Sequence, residues 1–339
     1  MRSSTYNVLS KRKLKQLVTQ GYVNGWDDPR LLTLAGLRRR GVRPEAIKSL
    51  CREVGITRND AEDPLHRLDN HIRADLDSTS ERVLAVLKPL KLILTNLLEE
   101  YSSTVAAKVF PSSPDSATYP VPLSRVVYIE ETDFQETDPD LLSKGRGRPG
   151  GKKAKFFGMA PGKEIMLKYA GLVKCTGCRK EDGKIAEGVL SWVGQAVPGQ
   201  EPSRFEARLF DKLFRTSCVA DLEDDWLEDL NPLSLTTVEG ALATPRLAAA
   251  KAGDKRVSPL PQHYTFRPSG MLDTVQGGGL CADMIGFRLP ARCCSANMHP
   301  VLLRFQLERL GFFCVDPDSS PSKMVVNRTC SLKADHGGK

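Results

Sequence analysis

The hydrophobic period of this chain changes once along its length, and that change limits what it can fold into. In "RPEAIKSLCREVG", Ile47, Leu50, Cys51 and Val54 recur at the spacing of one helix face. Pro44 at a first-turn position and Gly55 just past the end delimit that helix. "PLHRLDNHIRADL" repeats the pattern with Leu65, Leu68, Ile72 and Leu76. "SERVLAVLKPLKLIL" reads as a third helix, kinked or ended at Pro89, so residues 1 to about 98 are expected to be helical. After about residue 99 the period falls to two. "KEIMLKYA" sets Ile165, Leu167 and Tyr169 against Glu164, Met166 and Lys168. "RFEARLF" sets Phe205, Ala207 and Leu209 against Glu206, Arg208 and Phe210. "RFQLERLGFFCV" points Phe305 and Leu307 inward, with Gln306 and Glu308 outward. Such strands between Pro/Gly/Ser turns imply closed or partly closed antiparallel barrels. The expected class is α+β multidomain, helical first and barrels second.

At 339 residues the chain is long enough for two or three domains. No stretch approaches the apolar length that crosses a bilayer, so no membrane part is expected. The 49 Lys and Arg exceed the 41 Asp and Glu, giving +8, which favours an anionic partner, nucleic acid before membrane. "MRSSTYNVLSKRK" lacks the apolar core of a secretory signal, which implies a cytoplasmic location. The nine cysteines are then expected as reduced thiols. Cys175 and Cys178 form C-x-x-C, but no second such pair and no HxxxH completes a zinc site, and Cys293-Cys294 is geometrically poor, so no metal is expected.

Two stretches break the pattern. "SKGRGRPGGKK" (143–153) holds a literal G-x-G-x-x-G at Gly145, Gly147 and Gly150. "PDLLSK" precedes it, and Pro149 and more glycines follow, so it reads as a basic loop touching phosphates and not as a dinucleotide fingerprint. Arg256 to Leu303 has few charges and little period, and reads as an insertion without a core role or as a translated intervening sequence.

"VLSKRKLKQLV" followed by "GYVNGWDDPRLLTLAGLRRRGVRPEAI" resembles glutaminyl-tRNA synthetase, a class I aminoacyl-tRNA synthetase. Val8-Leu9-Ser10-Lys11-Arg12 stands where that family has its Lys-Met-Ser-Lys-Ser loop, with Leu9 in place of methionine. The resemblance continues through "LDNHIRADLDSTSERVLAVLKPLKL", "YIEETDF", "PGKEIMLKYA", "EARLFDKLF" and "FQLERLGFFCVDPDSSPSKMVVNRTCSLKAD". Glutamyl-tRNA synthetases share "LSKRKL" and "GWDDPR", but "GLRRRG" and the terminal block are closer to the glutaminyl family. The resemblance implies a catalytic-loop remnant at 1–16 and a helical stem-contact domain at 17–98. It further implies a proximal anticodon-binding barrel from 99–150 and 222–335, interrupted by an insertion at 256–303, and a distal barrel at 151–221.

The resemblance also implies roles. Ser10 and Lys11 would be catalytic, and Leu9, Ser10, Lys11 and Arg12 would hold ATP phosphates, where Lys11 stabilises charge as pyrophosphate departs. Transfer RNA would meet Arg30, in the turn formed by Trp26, Asp27, Asp28 and Pro29, and Arg38, Arg39 and Arg40. A helix cannot bury three successive arginines, so one or two of those should form internal ion pairs. Near the anticodon the family implies Arg82, Lys168, Gln306, Glu308 and Arg309. Gly158 and Met166 stand where the family carries arginines, which alters that part of the site. Family residues that supply a strand are missing between Glu187 and Gly188, so the second barrel should be rearranged.

No His-x-Gly-His motif occurs, and seven residues precede Val8. The expectation is a C-terminal half that binds glutamine-specific tRNA and is inactive alone. Glutamine, ATP and Mg²⁺ would be served through a missing Rossmann domain, with other synthetases as further partners. The alternatives are a stand-alone tRNA- or RNA-binding module and a glutamyl-tRNA synthetase fragment.

Overall fold

The computed structural model describes residues 3–55, 62–63, 65–135, 158–175, 189–197, 199–219, 222, 226–250, 303–320 and 322–333. Residues 143–153, Cys178, the Glu187–Gly188 junction and 256–302 lie outside them. Helices dominate the start: β1 (Ser3–Ser4), α1 (Lys11–Thr19), α2 (Leu34–Arg40), α3 (Pro44–Val54), β2 (Glu62–Asp63, parallel to β1) and α4 (Leu65–Thr79). Thr33 caps α2 by accepting the Gly36 N–H, and Pro44 opens α3 as expected. Leu68, Ile72 and Leu76 of α4 are buried with Leu37, Val42 and Ala46. Phe312 and Cys330 join the same cluster from the β part, so the helices pack directly on a sheet.

Helical structure ends at Thr79 and not near residue 98. The expected third helix is instead β3 (Glu81–Val83), β4 (Ala85–Val86) and β5 (Pro89–Ile93). Val83, Leu84, Ala85, Val86 and Leu87 are all buried, so both faces of this segment are covered and its apolar run carries no period to separate strand from helix. Pro89 is tolerated as the first residue of a strand.

The remaining elements are β6 (Ser102–Lys108), β7 (Thr118–Ser124), β8 (Val126–Glu130), a 3₁₀ turn (Glu131–Asp133), β9 (Glu164–Leu167), β10 (Gly171–Lys174), β11 (Val189–Leu190), β12 (Trp192–Gly194), β13 (Ser203–Phe210), β14 (Leu235–Ala243), α5 (Pro245–Ala248), β15 (Arg304–Leu307), β16 (Gly311–Val315) and β17 (Met324–Cys330). Seven strands form one sheet in the order β3-β15-β16-β17-β13-β14-β4. Its two edges, β3 and β4, are separated only by Leu84, so the sheet must curl until its edges meet. Thr244 Oγ1 donates to the Leu84 carbonyl at 3.0 Å and pins that seam. The barrel is mixed and not purely antiparallel: β15 runs parallel to β3 and β13 parallel to β17. Both parallel pairs join strands far apart in sequence, as parallel pairing requires.

Smaller sheets pack beside it: β12-β8-β5, the β6-β7 hairpin, and β10-β9-β11 with β11 parallel to β9. They share one core with the barrel, in which Leu84, Ile129, Leu167, Trp192, Phe313 and Val326 are buried together. The boundaries expected from sequence therefore cut across the sheets. β13, placed in a distal barrel at 151–221, belongs to the seven-stranded sheet, while β6, β7 and β8, placed in the proximal barrel, do not. Leu303, the last residue of the expected insertion, is buried and its carbonyl accepts the Val315 N–H at 3.0 Å.

Candidate nucleic-acid interface

Strand β15 sits between β3 and β16, and it carries Gln306 with Glu308 just past its end. Sequence alternation places both polar side chains outward; the structure buries them, at 8 % and 4 % exposure. The outer side of the strand is covered by the turn after β9 and by the residue before β12. Lys168 Nζ lies 2.6 Å from Glu308, and the Tyr169 hydroxyl donates to the same carboxylate at 3.3 Å. Ser191 Oγ donates to the Glu308 carbonyl at 3.3 Å, while the Glu308 N–H donates to Val83 O at 3.1 Å. A buried carboxylate needs this many partners to offset its desolvation.

In the β3–β15 register Gln306 stands opposite Arg82. Gln306 Oε1 is buried with no hydrogen-bond partner among the described residues. Arg82 is held by Asp77 at 3.0 Å. Arg309 turns the chain with φ +66° and grips Asp133 through two bonds of 2.5 and 2.6 Å. Tyr169 also has a left-handed backbone, φ +68°. Non-glycine residues there cost about 1–3 kcal/mol each and persist where the surroundings hold them, commonly at functional sites. Burial, and then the Glu308 charge, push the Tyr169 phenol up to about 12, so it remains a donor at neutral pH. The structure thus gathers Arg82, Lys168, Gln306, Glu308 and Arg309 into one junction between sheets. Gly158 is buried nearby in sequence to Met159, which bridges Phe134. Met166 is 45 % exposed opposite Leu172, so the face of β9 that continues from Lys168 is apolar at that step.

A second feature rests on a different core. Val8 and Leu17 pack with Leu213, Phe214 and Trp226, from the segment between β13 and β14. On that base Leu9, Ser10, Lys11 and Arg12 are exposed. Ser10 is the N-cap of α1 but its side chain makes no capping bond, and the first turn holds no acidic residue. Cations at the positive end of a helix are unfavourable by about 0.3–1 kcal/mol each. The first-turn N–H groups also lack intrahelical partners. An anion relieves both, and these donors fit the phosphates of a nucleotide.

The other arginines divide. Arg30 pairs with buried Asp28 through Nε at 3.0 Å and Nη2 at 2.8 Å, and is only 11 % exposed. Arg39 bonds Asp316, Asp318 and Asp27, and Arg40 Nε donates to Thr329 O at 2.9 Å. Arg38 is exposed. Two of the three successive arginines thus point inward, and Arg30 with them. Tyr169, Asp133, Asp316 and Asn327 escape a local reading, because each acts through a residue far away in sequence. Cys175 is buried, and no group of three or more His, Cys, Asp or Glu among the described residues is arranged to hold a metal.

Comparison with known proteins bears on both features. Residues 1–78 match the catalytic domain of tRNA synthetases class I (E and Q), and residues 80–192 and 189–256 match the anti-codon binding domain models of the same group. The chain belongs to the class I tRNA synthetases for glutamate and glutamine. It is 38 % identical to the cytoplasmic glutamine–tRNA ligase of Arabidopsis thaliana, over 98 % of this chain and 36 % of that protein. Glutamine–tRNA ligases of Bos taurus (33 % identical, 98 % of this chain, 36 % of theirs) and Ralstonia pickettii (32 %, 98 %, 50 %) are similar to it. The chain spans about a third to a half of the length of these curated relatives. The synthetase models meet between residues 78 and 80, where α4 gives way to β3. No helix among the described residues is long and apolar enough to cross a membrane.

Proposed function

We propose that this chain is the tRNA-binding part of a cytoplasmic glutamine–tRNA ligase, the enzyme class that attaches glutamine to its tRNA with ATP. The observation that carries the reading is the convergence of Arg82, Lys168, Gln306, Glu308 and Arg309, from three distant stretches, on one junction where a buried amide oxygen lacks a donor. An unpaired base edge carries such donors and would reach this buried oxygen once Lys168 and Tyr169 swing aside, with the partly exposed Lys168 and Arg309 meeting the RNA first. The nucleotide arm of the reading is the α1 terminus: Ser10, Lys11 and Arg12 would hold ATP phosphates, with Leu9 in the same exposed loop. ATP supplies the activation of glutamine and brings Mg²⁺ with its phosphates. The stem of the tRNA would run along the helical segment, which offers Arg38 as an exposed cation.

The test is binding of the purified chain to a glutamine-specific tRNA and to one with another anticodon, before and after Gln306→Ala. The cognate tRNA should lose roughly tenfold, about 1.4 kcal/mol, and the other tRNA little. Equal losses on both would mean that Gln306 does not read bases, and no binding of either tRNA by the parent chain would end the proposal.

A further inference from the structure

The C-terminus of α2 is capped by another part of the molecule. The Leu37 and Arg38 carbonyls are closed locally by the N–H groups of Val42 and Gly41, both at 2.9 Å. The next three go to barrel side chains: Arg39 O accepts from Asn327 Nδ2 at 3.2 Å, Arg40 O from Thr329 Oγ1 at 2.7 Å, and Gly41 O from Arg304 Nε at 2.6 Å. Terminal helix carbonyls ordinarily meet water or a local cap. The approach is close enough that a Cβ on Gly41, φ +102°, would lie 2.5 Å from Thr329 Oγ1 and 2.6 Å from Cys314 Cβ.

Charge fixes the same joint. Asp316, on the loop after β16, has a fully buried side chain and accepts Arg39 Nε and Nη2, both at 3.1 Å, besides Asn327 Nδ2 and the Asp318 N–H. Asp318 bridges Arg39 at 2.7 Å and Arg208 of β13 at 2.8 Å. Arg39 Nη1 reaches Asp27 at 3.1 Å, in the turn that Asp28 and Arg30 hold rigid. A buried ion network adds little net stability, because desolvation offsets the attraction; what it supplies is direction. A planar guanidinium engaged on three sides permits one orientation of α2 on the barrel.

We infer that this joint, centred on Arg39 and Asp316, is a positioning device: it fixes the helical segment against the anticodon-binding barrel so that one folded tRNA is gripped by both surfaces at once. The inference rests on the tRNA-binding reading above. Two contact surfaces on one rigid body act at high effective concentration, and a loosened joint forfeits that gain while leaving each surface intact. Arg39 is then a positioning residue and not a phosphate contact.

The experiment compares the parent chain with Arg39→Lys, which keeps the charge and loses the fork, for binding to whole glutamine-specific tRNA and to its isolated anticodon stem–loop. The expected result is a roughly tenfold loss on whole tRNA with stem–loop affinity unchanged. The unchanged stem–loop value also certifies that the barrel has folded. Lys323→Ala, which removes only the outer arm of the network at Glu206, should alter neither. A loss on both RNAs, or on neither, overturns the inference. A parent chain that binds neither RNA overturns the tRNA-binding reading itself.

Discussion

Lys168 Nζ stands 2.6 Å from the Glu308 carboxylate, joining the turn after β9 to the end of β15. Both residues are ones the family resemblance sends to the RNA, yet in the structure they meet each other. The lysine is partly open to solvent, at 32 %, and Glu308 is almost wholly enclosed, at 5 %. The cation therefore faces outward with its charge already balanced from behind.

Removing the outer partner strands the inner one. Lys168→Met should destabilise the chain by about 2 kcal/mol, less than the 3–5 kcal/mol of a fully buried pair because water screens the lysine. Lys168→Met with Glu308→Gln should recover part of that loss. Urea unfolding of the parent, Lys168→Met, Glu308→Gln and the double variant measures both, and an effect of Lys168→Met below about 0.5 kcal/mol would show that Tyr169 and Ser191 suffice to hold Glu308.

Acid should loosen the joints before the cores. Burial raises Asp28 and Asp316, but hydrogen bonds from Arg30 and from Arg39 outweigh it and hold both below the ordinary value of 3.8. A depressed carboxylate contributes stability above its unfolded pKa and loses it as pH falls through the folded value. Glu130 and Asp75 act in the opposite sense, since burial raises both and their enclosure favours the protonated form. Urea midpoints followed from pH 7 down to pH 3 should fall steeply below about pH 4 in the parent, and more gently in Asp316→Asn, which starts lower. Parallel curves for the two proteins would contradict the assignment.

Gly41→Ala combines a left-handed backbone with a Cβ in contact with Cys314 and Thr329. A destabilisation of about 2–4 kcal/mol is expected, from strain and overpacking together. Gly21→Ala is the comparison: it ends α1 with φ +76°, but nothing lies within 4 Å of an added Cβ, so backbone strain alone should cost about 1 kcal/mol. Thermal melts that place the two variants level would mean that the α2 end can retreat from the barrel.

Arg38 should behave as a phosphate contact, unlike its neighbours. Arg38→Ala should reduce the slope of log affinity for tRNA against log salt by about 0.7–0.9, the loss of one phosphate contact, with unfolding unchanged. A slope equal to the parent's would remove Arg38 from the interface.

Helix α4 was legible because it buries one face, so Leu68, Ile72 and Leu76 repeat at helical spacing; α3 follows the same period more loosely, with Ile47 and Leu50 half-buried and Cys51 exposed. Strand β9 was legible for the same kind of reason: Ile165 and Leu167 are buried while Met166 looks out. The segment from Glu81 to Ile93 was not, since residues 83–87 are enclosed on both sides and periodicity has nothing to contrast. At the site, Arg82, Lys168, Gln306, Glu308 and Arg309 came from the motifs, but the burial of Gln306 and Glu308 did not. Their cover comes from Lys168, Tyr169 and Ser191, more than a hundred residues earlier in the chain. The same distance hid the partner of Arg39: Asp316 lies 277 residues away.

The seam at Leu84 has a consequence for synthesis. The strands on either side of it find their partners at residues 305–307 and 242–243. A ribosome delivers the hoop's clasp long before the band it fastens. Residues 85–86 must therefore wait for 242–243, and residues 81–83 wait longer still, while more than two hundred further residues are made. Contacts of such long sequence separation form slowly, and meanwhile the apolar run from Val83 to Leu87 is open to association with other chains. Once fastened, the seam leaves the outer side of β14 before Leu242 without a strand partner among the described residues, a stretch of this sheet on which a neighbouring molecule could add a strand.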